Sequence, residues 1–156
     1  MNFAKYVVSV MPKKILLVDD DASVRETLGQ LLESENYAVT LARSGRDAAA
    51  KFFEDLPDLV LLDLNMPGRD GWDVFSLMHQ THPLVPVIVI TAESQQHKRA
   101  AECGIDALME KPLDIPLLLE AIQAYLAESE TERVRRQTWP NFKTVFLSNR
   151  FQITPA

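Results

Sequence analysis

Five short apolar runs punctuate the chain: Ile15–Val18, Ala38–Leu41, Leu59–Leu62, Val87–Ile90 and Ala107–Met109. Each has the length of a short strand. Leu59–Leu62 and Val87–Ile90 show no alternation with polar residues, the pattern of central strands covered on both faces. The segments between them, Ser23–Ser34, Arg46–Glu54, Trp72–Gln80 and Ser94–Cys103, carry apolar positions at helical spacing. A fifth helix is expected from about Pro116 to Glu128, with Asp114 as its cap and Pro116 in its first turn. Ser23 and Ser44 stand in capping positions before their own helices. Strands alternating with helices of this length predict right-handed βαβ units, hence an α/β fold with a parallel sheet covered on both sides.

Ligands of such sheets bind beyond the carboxyl ends of the strands, where the winding direction reverses. The first run ends in Asp19-Asp20-Asp21, the third in Asp63, the fourth in Thr91 and the fifth in Lys111-Pro112. Taken singly, each has an ordinary explanation. Asp19 and Asp20 suit a helix N-terminus, Asp21 reads as a solvated residue before the helix, Thr91 as a strand hydroxyl and Lys111 as a surface lysine. Together they bring carboxylates, a hydroxyl and an ammonium to one edge of the sheet. Oxygen-only ligands with an open side suit Mg²⁺. An Asp carboxylate can hold a phosphoryl group as an acyl phosphate, helped by positive charge and hydrogen-bond donors around the phosphoryl oxygens.

The segments ILLVDD (15–20), LLDLNMPGRDG (61–71), VITA (89–92) and KP (111–112) resemble the receiver domains of two-component response regulators. The likeness spans about residues 13–127, and all four motifs occur in order. It implies a three-layer, doubly wound, five-stranded parallel sheet in the flavodoxin-like order 2-1-3-4-5. It also implies that Asp63 is the phosphoacceptor, taking a phosphoryl group from a histidine kinase or phosphotransfer protein. Mg²⁺ would be held by Asp19, Asp20, Asp63 and the Asn65 backbone carbonyl, with Asp19 acting largely through water. Thr91 and Lys111 would each engage a phosphoryl oxygen. Pro112 would follow a cis peptide bond, Ala92 would leave room for the donor, and Met66-Pro67-Gly68 would form a tight loop with Gly71 opening the next helix. Such a protein catalyses only its own phosphorylation and dephosphorylation, and signals through a partner-binding face of helix four, strand five and helix five.

Three positions bear on tuning. Many receivers carry Tyr or Phe three residues before the lysine, where Leu108 stands here, so phosphorylation is expected to proceed with the switch at Thr91 and Leu108 muted or its output carried differently. Asn65 and Glu93 flank the path of attacking water and resemble the residues of the fast-cycling chemotaxis regulator, which implies a short-lived acyl phosphate. A phosphatase acting on small phosphoesters would need a second Asp two residues after the nucleophile, and Asn65 cannot donate that proton. A flavin site would need a phosphate-binding loop where the acids Asp19–Asp21 stand. The remaining alternative is a non-phosphorylated pseudo-receiver serving as an interaction module, against which the full acid, hydroxyl and lysine set speaks.

Charge and the chain ends complete the picture. The 156 residues carry a net charge of −6. Residues 1–127 account for −8 and residues 128–156 for +2, which argues against direct nucleic-acid binding. No apolar run is long enough for a bilayer crossing, and Met1–Val10 lacks the layout of a signal peptide. A cytoplasmic location is expected, in keeping with the single Cys103. Residues 1–12 read as an N-terminal extension, because Met11-Pro12-Lys13-Lys14 would itself make a natural start. Ala127–Gln137 reads as a continuation of the last helix, broken at Trp139-Pro140. The aromatic-rich remainder, with Trp139, Phe142, Phe146 and Phe151, reads as a strand-like or disordered tail folded back, or as an adhesive segment, and not as an output domain. A homodimer through that tail or through the helix-four, strand-five and helix-five face is a further expectation; the output partner is unspecified. His79, His82 and His97 lack metal-ligand spacing and receive no role.

Overall fold

The strands β1 (Lys14–Val18), β2 (Ala38–Ala42), β3 (Leu59–Asp63), β4 (Val87–Thr91), β5 (Ala107–Glu110) and β6 (Val145–Leu147) form one sheet ordered β2-β1-β3-β4-β5-β6. Every neighbouring pair is parallel. The helices are α1 (Ala22–Ser34), α2 (Gly45–Glu54), α3 (Gly71–Thr81), α4 (His97–Cys103), α5 (Ile115–Ala127) and α6 (Glu130–Gln137). The computed structural model describes residues 11–66, 71–93, 96–138, 140 and 142–148. Among the described residues, no helix is long and apolar enough to cross a membrane.

The alternation of side chains along a strand sorts the sheet into two packed faces. Leu16, Val18, Val60, Leu62 and Val89 face α2, α3 and α4, packing on Phe52, Phe75, Met78 and Ala100. Ile15, Leu17, Leu59, Leu61, Ile88 and Ile90 face α1 and α5, packing on Leu28, Leu32, Leu118 and Ile122. The four apolar residues of β3 have no exposed surface, and burying each stabilises the fold by about 2 kcal/mol. This is the three-layer, doubly wound sheet in the order 2-1-3-4-5 that the alternation and the family likeness imply, with one strand more.

The extra strand lies in the segment after residue 127. The expectation that Ala127–Gln137 continues the last helix is overturned. α5 stops at Glu128, whose backbone is extended (φ −61°, ψ 132°), and a separate helix starts. Ser129 explains the restart. Its hydroxyl accepts from the Glu132 N–H at 3.1 Å, while the Glu132 carboxylate accepts from the Ser129 N–H at 2.7 Å. This capping box satisfies two donors that an uninterrupted helix would use internally. The strand-like expectation for the tail holds at Val145–Leu147, which extends the edge of β5; Trp139 and Phe151 lie outside the described residues.

One helix cap also differs from expectation. The cap of α1 is Asp21, not Ser23: its carboxylate accepts from the Ser23 and Val24 N–H groups at 2.9 and 3.1 Å. An ionised oxygen is the stronger acceptor at a helix N-terminus, so the acid displaces the hydroxyl. α4 spans His97–Cys103 and no side chain caps it at Gln96, while Ser94, where the sequence places the start, lies outside the described residues. Ser44 and Asp114 cap α2 and α5 as the sequence predicts, through N–H groups of Asp47 and Leu117.

Gly71 opens α3 against the end of β3. A Cβ there would lie 2.8 Å from the Leu64 Cα and 3.1 Å from the Asp63 carbonyl oxygen. Both obstacles are backbone and cannot rotate away. Gly71→Ala is therefore expected to destabilise the protein by about 2 kcal/mol, measured by urea unfolding. An unchanged midpoint would mean that the β3–α3 junction is looser than these distances.

Candidate functional site

The parallel register aligns the strand ends, with Val18 beside Leu62, Asp63 beside Ile90 and Thr91 beside Glu110. Asp19, Asp63, Thr91 and Lys111 therefore emerge together at one edge of the sheet, where β1 and β3 lead into helices on opposite faces. The sheet's carboxyl edge is where an open α/β fold forms its crevice.

Asp19 is buried although it follows the strand directly. Its N–H donates to the Ala42 carbonyl at 3.1 Å and its carbonyl accepts from the Arg25 guanidinium at 2.8 Å. Its Oδ1 accepts from the Asp21 N–H at 2.9 Å. Asp63 is also buried, and its Oδ1 accepts from the Asn65 N–H at 2.9 Å. The Lys111 N–H donates to the Thr91 carbonyl at 2.7 Å, holding the start of its side chain beside β4. The Lys111 Nζ lies 3.3 Å from Asp19 Oδ2 and 3.4 Å from Asp63 Oδ2. Lys111-Pro112 is a cis peptide bond, as the family likeness implies.

One ammonium is shared between two buried carboxylates, and the imbalance shows in their protonation. Burial pushes the Asp63 carboxyl from 3.8 up to about 6. The Asn65 N–H pulls it back, while the neighbouring Asp19 charge pushes it further up. Burial works against the charge on Lys111, but Asp63 and Asp19 overcome it and hold the ammonium above its ordinary value. Asp20 brings a third carboxylate, exposed to solvent. Asp19, Asp20 and Asp63 each offer an oxygen, all within 4.8 Å of one another. An all-oxygen, open-sided, anion-rich donor set fits a small hard divalent cation.

The other expected residues surround this cluster. Thr91 is fully buried, and its Oγ1 accepts from the Glu93 N–H at 3.0 Å. Glu93 is exposed, and its carboxylate accepts from the Gln96 amide at 2.8 Å. Asn65 follows Asp63 by two residues and is half-buried. Leu108 does not reach the site; it is 1% exposed and packs in the core with Ala100, Ile105 and Val89. Pro67 and Gly68 lie outside the described residues.

Sequence reasoning missed a second polar cluster at the opposite end of β5. Asp106 is 3% exposed, and its Oδ2 accepts from the Val87 N–H at 2.8 Å. Its Oδ1 takes the Arg136 guanidinium at 2.5 Å and the Gln137 amide at 2.9 Å. Arg136 also pairs with Glu128 at 2.8 Å and lies over the Tyr125 ring, 4.9 Å from its centroid. The usable signal was an acid just before a buried strand, which demands a cation from somewhere else in the chain.

The family profile described as the response regulator receiver domain matches residues 15–123. Response regulator MprA of Mycolicibacterium vanbaalenii is 39% identical over 118 residues, covering 74% of this chain and 51% of that protein. The chain thus spans about half the length of the curated relatives it matches. Among solved structures, a CheY-like receiver domain protein from Methanospirillum hungatei is 28% identical with a TM-score of 0.71, covering 80% of this chain and 98% of that one. The Thermotoga maritima response regulator TrrA, solved in complex with Mg²⁺ and BeF, is 32% identical with a TM-score of 0.68. The alignment covers 72% of this chain and 98% of TrrA. On this match, which runs through β1 to α5, the chain belongs to the response regulator receiver domain family.

Proposed function

We propose that this protein is a phosphorylation switch whose acceptor is Asp63. A carboxylate oxygen of Asp63 forms a bond to phosphorus while the bond from phosphorus to the donor breaks, leaving the donor's imidazole nitrogen to take a proton. Hydrolysis reverses the modification: water adds to the phosphorus, the acyl phosphate bond breaks and inorganic phosphate leaves. Asp19, Asp20, Asp63 and the Asn65 carbonyl would hold Mg²⁺, which supplies charge neutralisation for the incoming phosphoryl oxygens. Lys111 neutralises the transferred group from the side facing Asp19. The buried Thr91 hydroxyl donates a hydrogen bond to a phosphoryl oxygen, and Asn65 and Glu93 orient the hydrolytic water. The chemistry serves only the protein's own modification, so outside substrates are limited to the phosphoryl donor, a histidine kinase or phosphotransfer protein.

The observation that carries this reading is the shared ammonium, 3.3 and 3.4 Å from two buried carboxylates with a third carboxylate alongside. What sets it apart from the Arg136 cluster at the other end of β5 is the third carboxylate within 4.8 Å, which leaves the acids in excess over the cation. The TrrA complex with Mg²⁺ and BeF supports the same chemistry in a relative. Incubation with acetyl phosphate and Mg²⁺, followed by intact-mass measurement, tests it. Wild type gains one phosphoryl group and Asp63→Ala gains none. A wild type that stays unmodified under conditions that modify a control receiver supports the interaction-module alternative instead.

A further inference from the structure

We propose that α6 and β6 act as a self-docked strap on the β5 edge, and that occupying the Asp63 site loosens β6. The inference rests on the reading of Asp63 as phosphoacceptor, and concerns what that modification does to the rest of the chain.

The strap has a firm end and a weak end. Its firm end is Arg136 and Gln137 on the buried Asp106. Its weak end is β6. There the Thr144 hydroxyl donates to the Ile105 carbonyl at 2.7 Å and the Val145 N–H donates to the Asp106 carbonyl at 2.9 Å. Among the described residues three pair with β5, Val145 included, and Val145 and Phe146 keep 45% and 37% of their surface exposed. A short, half-exposed edge strand opens at low free energy compared with the core. When it leaves, the N–H and C=O groups along the outer side of β5 become a free strand edge, able to pair with an added strand.

A route connects that weak end to the site. Phe146 stands beside Leu108 in the parallel register, and directly opposed residues project from the same face of a sheet. On that face Phe146 meets His97, the first residue of α4, with ring centroids 4.6 Å apart. His97 also approaches Glu110, at the site end of β5, at 3.8 Å. α4 is seven residues long and has no side-chain cap, so its first turn is weakly held. Glu93, four residues before His97 in the chain, donates its N–H to the Thr91 hydroxyl. A phosphoryl group on Asp63 draws that hydroxyl toward itself as a donor. The movement pulls on or releases Glu93, shifts the first turn of α4 and takes His97 from under Phe146. Leu108 has no ring to transmit such a change. The ring on that face comes from the strap.

Amide hydrogen exchange on the full chain tests the proposal, comparing Mg²⁺ alone with Mg²⁺ and beryllofluoride. The Val145–Leu147 amides are expected to exchange at least tenfold faster with beryllofluoride in wild type, and not in Asp63→Asn. In Phe146→Ala they exchange fast from the start and change less than twofold. Because coupling is reciprocal, Phe146→Ala binds beryllofluoride more tightly than wild type. Unchanged or slower exchange at 145–147, with fluorine NMR showing the site filled, overturns the strap coupling and leaves the Asp63 reading standing. Failure of beryllofluoride to bind overturns the Asp63 reading, and the coupling with it.

Discussion

Asp63→Asn is expected to make the metal-free protein more stable at pH 7, while Lys111→Met makes it less stable. The signs follow from one imbalance. An acid pushed from 3.8 to about 6 costs about 3 kcal/mol to keep ionised at pH 7. Its folded value lies above its unfolded value, so the cost is complete above about 6 and absent below 3.8. The carboxamide that Asp63→Asn introduces can still accept the Asn65 N–H, so the substitution removes the charge with little else, and a gain of up to about 3 kcal/mol follows. Removing the Lys111 ammonium does the reverse, leaving Asp19 and Asp63 buried together without a cation. The Lys111 side chain is one-quarter exposed, so a loss of about 2 kcal/mol is expected, below the roughly 3–5 typical of a fully buried broken pair. Mg²⁺ separates the two variants again. It should raise the melting temperature of wild type and of Lys111→Met, the latter by more, and leave Asp63→Asn nearly unmoved. Thermal scans with and without Mg²⁺ read this directly. An Asp63→Asn protein that melts below wild type, or responds equally to Mg²⁺, would contradict the crowded-carboxylate account.

How much of this was legible in the sequence depended on whether a signal was local. β1, β3 and β4 announced themselves because a strand buried on both faces must be apolar at every position, as in Leu59–Leu62. The site residues were legible for a related reason. A parallel sheet sends all its carboxyl ends to one edge, so Asp19, Asp63, Thr91 and Lys111 could be gathered before any distance was known. The start of α4 was harder to place, because Glu93 to Arg99 are all polar and no apolar position marks where the helix that begins at His97 takes over. Asp21 took the capping role from Ser23 through a difference in acceptor strength that spacing does not encode.

The segment after residue 127 was hardest to read because its order comes from distant partners. Glu130–Gln137 has no buried residue, so it lacks the apolar stripe that marks a docked helix. What docks it is Arg136 on Asp106, thirty residues away in sequence. Val145–Leu147 is too short to stand out and becomes a strand only because β5 offers an unpaired edge. Neither partner reveals the other from its own neighbourhood.

Ending the chain after Ala127 is expected to cost about 5 kcal/mol, although that cut retains every element matched by the family profile. The reason is electrostatic. Asp106 is expected to keep its place in the core without the strap, because it directly precedes β5 and the Tyr125 hydroxyl donates to its carbonyl at 3.0 Å. Without Arg136, a buried carboxylate loses its cation, and breaking such a pair costs about 3–5 kcal/mol. The hydrogen bonds from Thr144 and Val145 add about 1 kcal/mol each. Arg136→Ala isolates the first contribution at about 3 kcal/mol, the low end, since Gln137 and the Val87 N–H still hold the carboxylate. The pH dependence identifies the cause. Burial pushes the Asp106 carboxyl above its ordinary 3.8, against the pull of Arg136 and the Val87 N–H. Removing Arg136 raises it further, so the added penalty is complete above that raised value and vanishes as pH falls toward 3.8, where the carboxyl is neutral in both folded and unfolded chains. Urea unfolding of wild type and Arg136→Ala should therefore show a stability gap that is widest at neutral pH and narrows in acid. A gap independent of pH would mean that Arg136 acts through its packing on Tyr125 and not through the Asp106 charge.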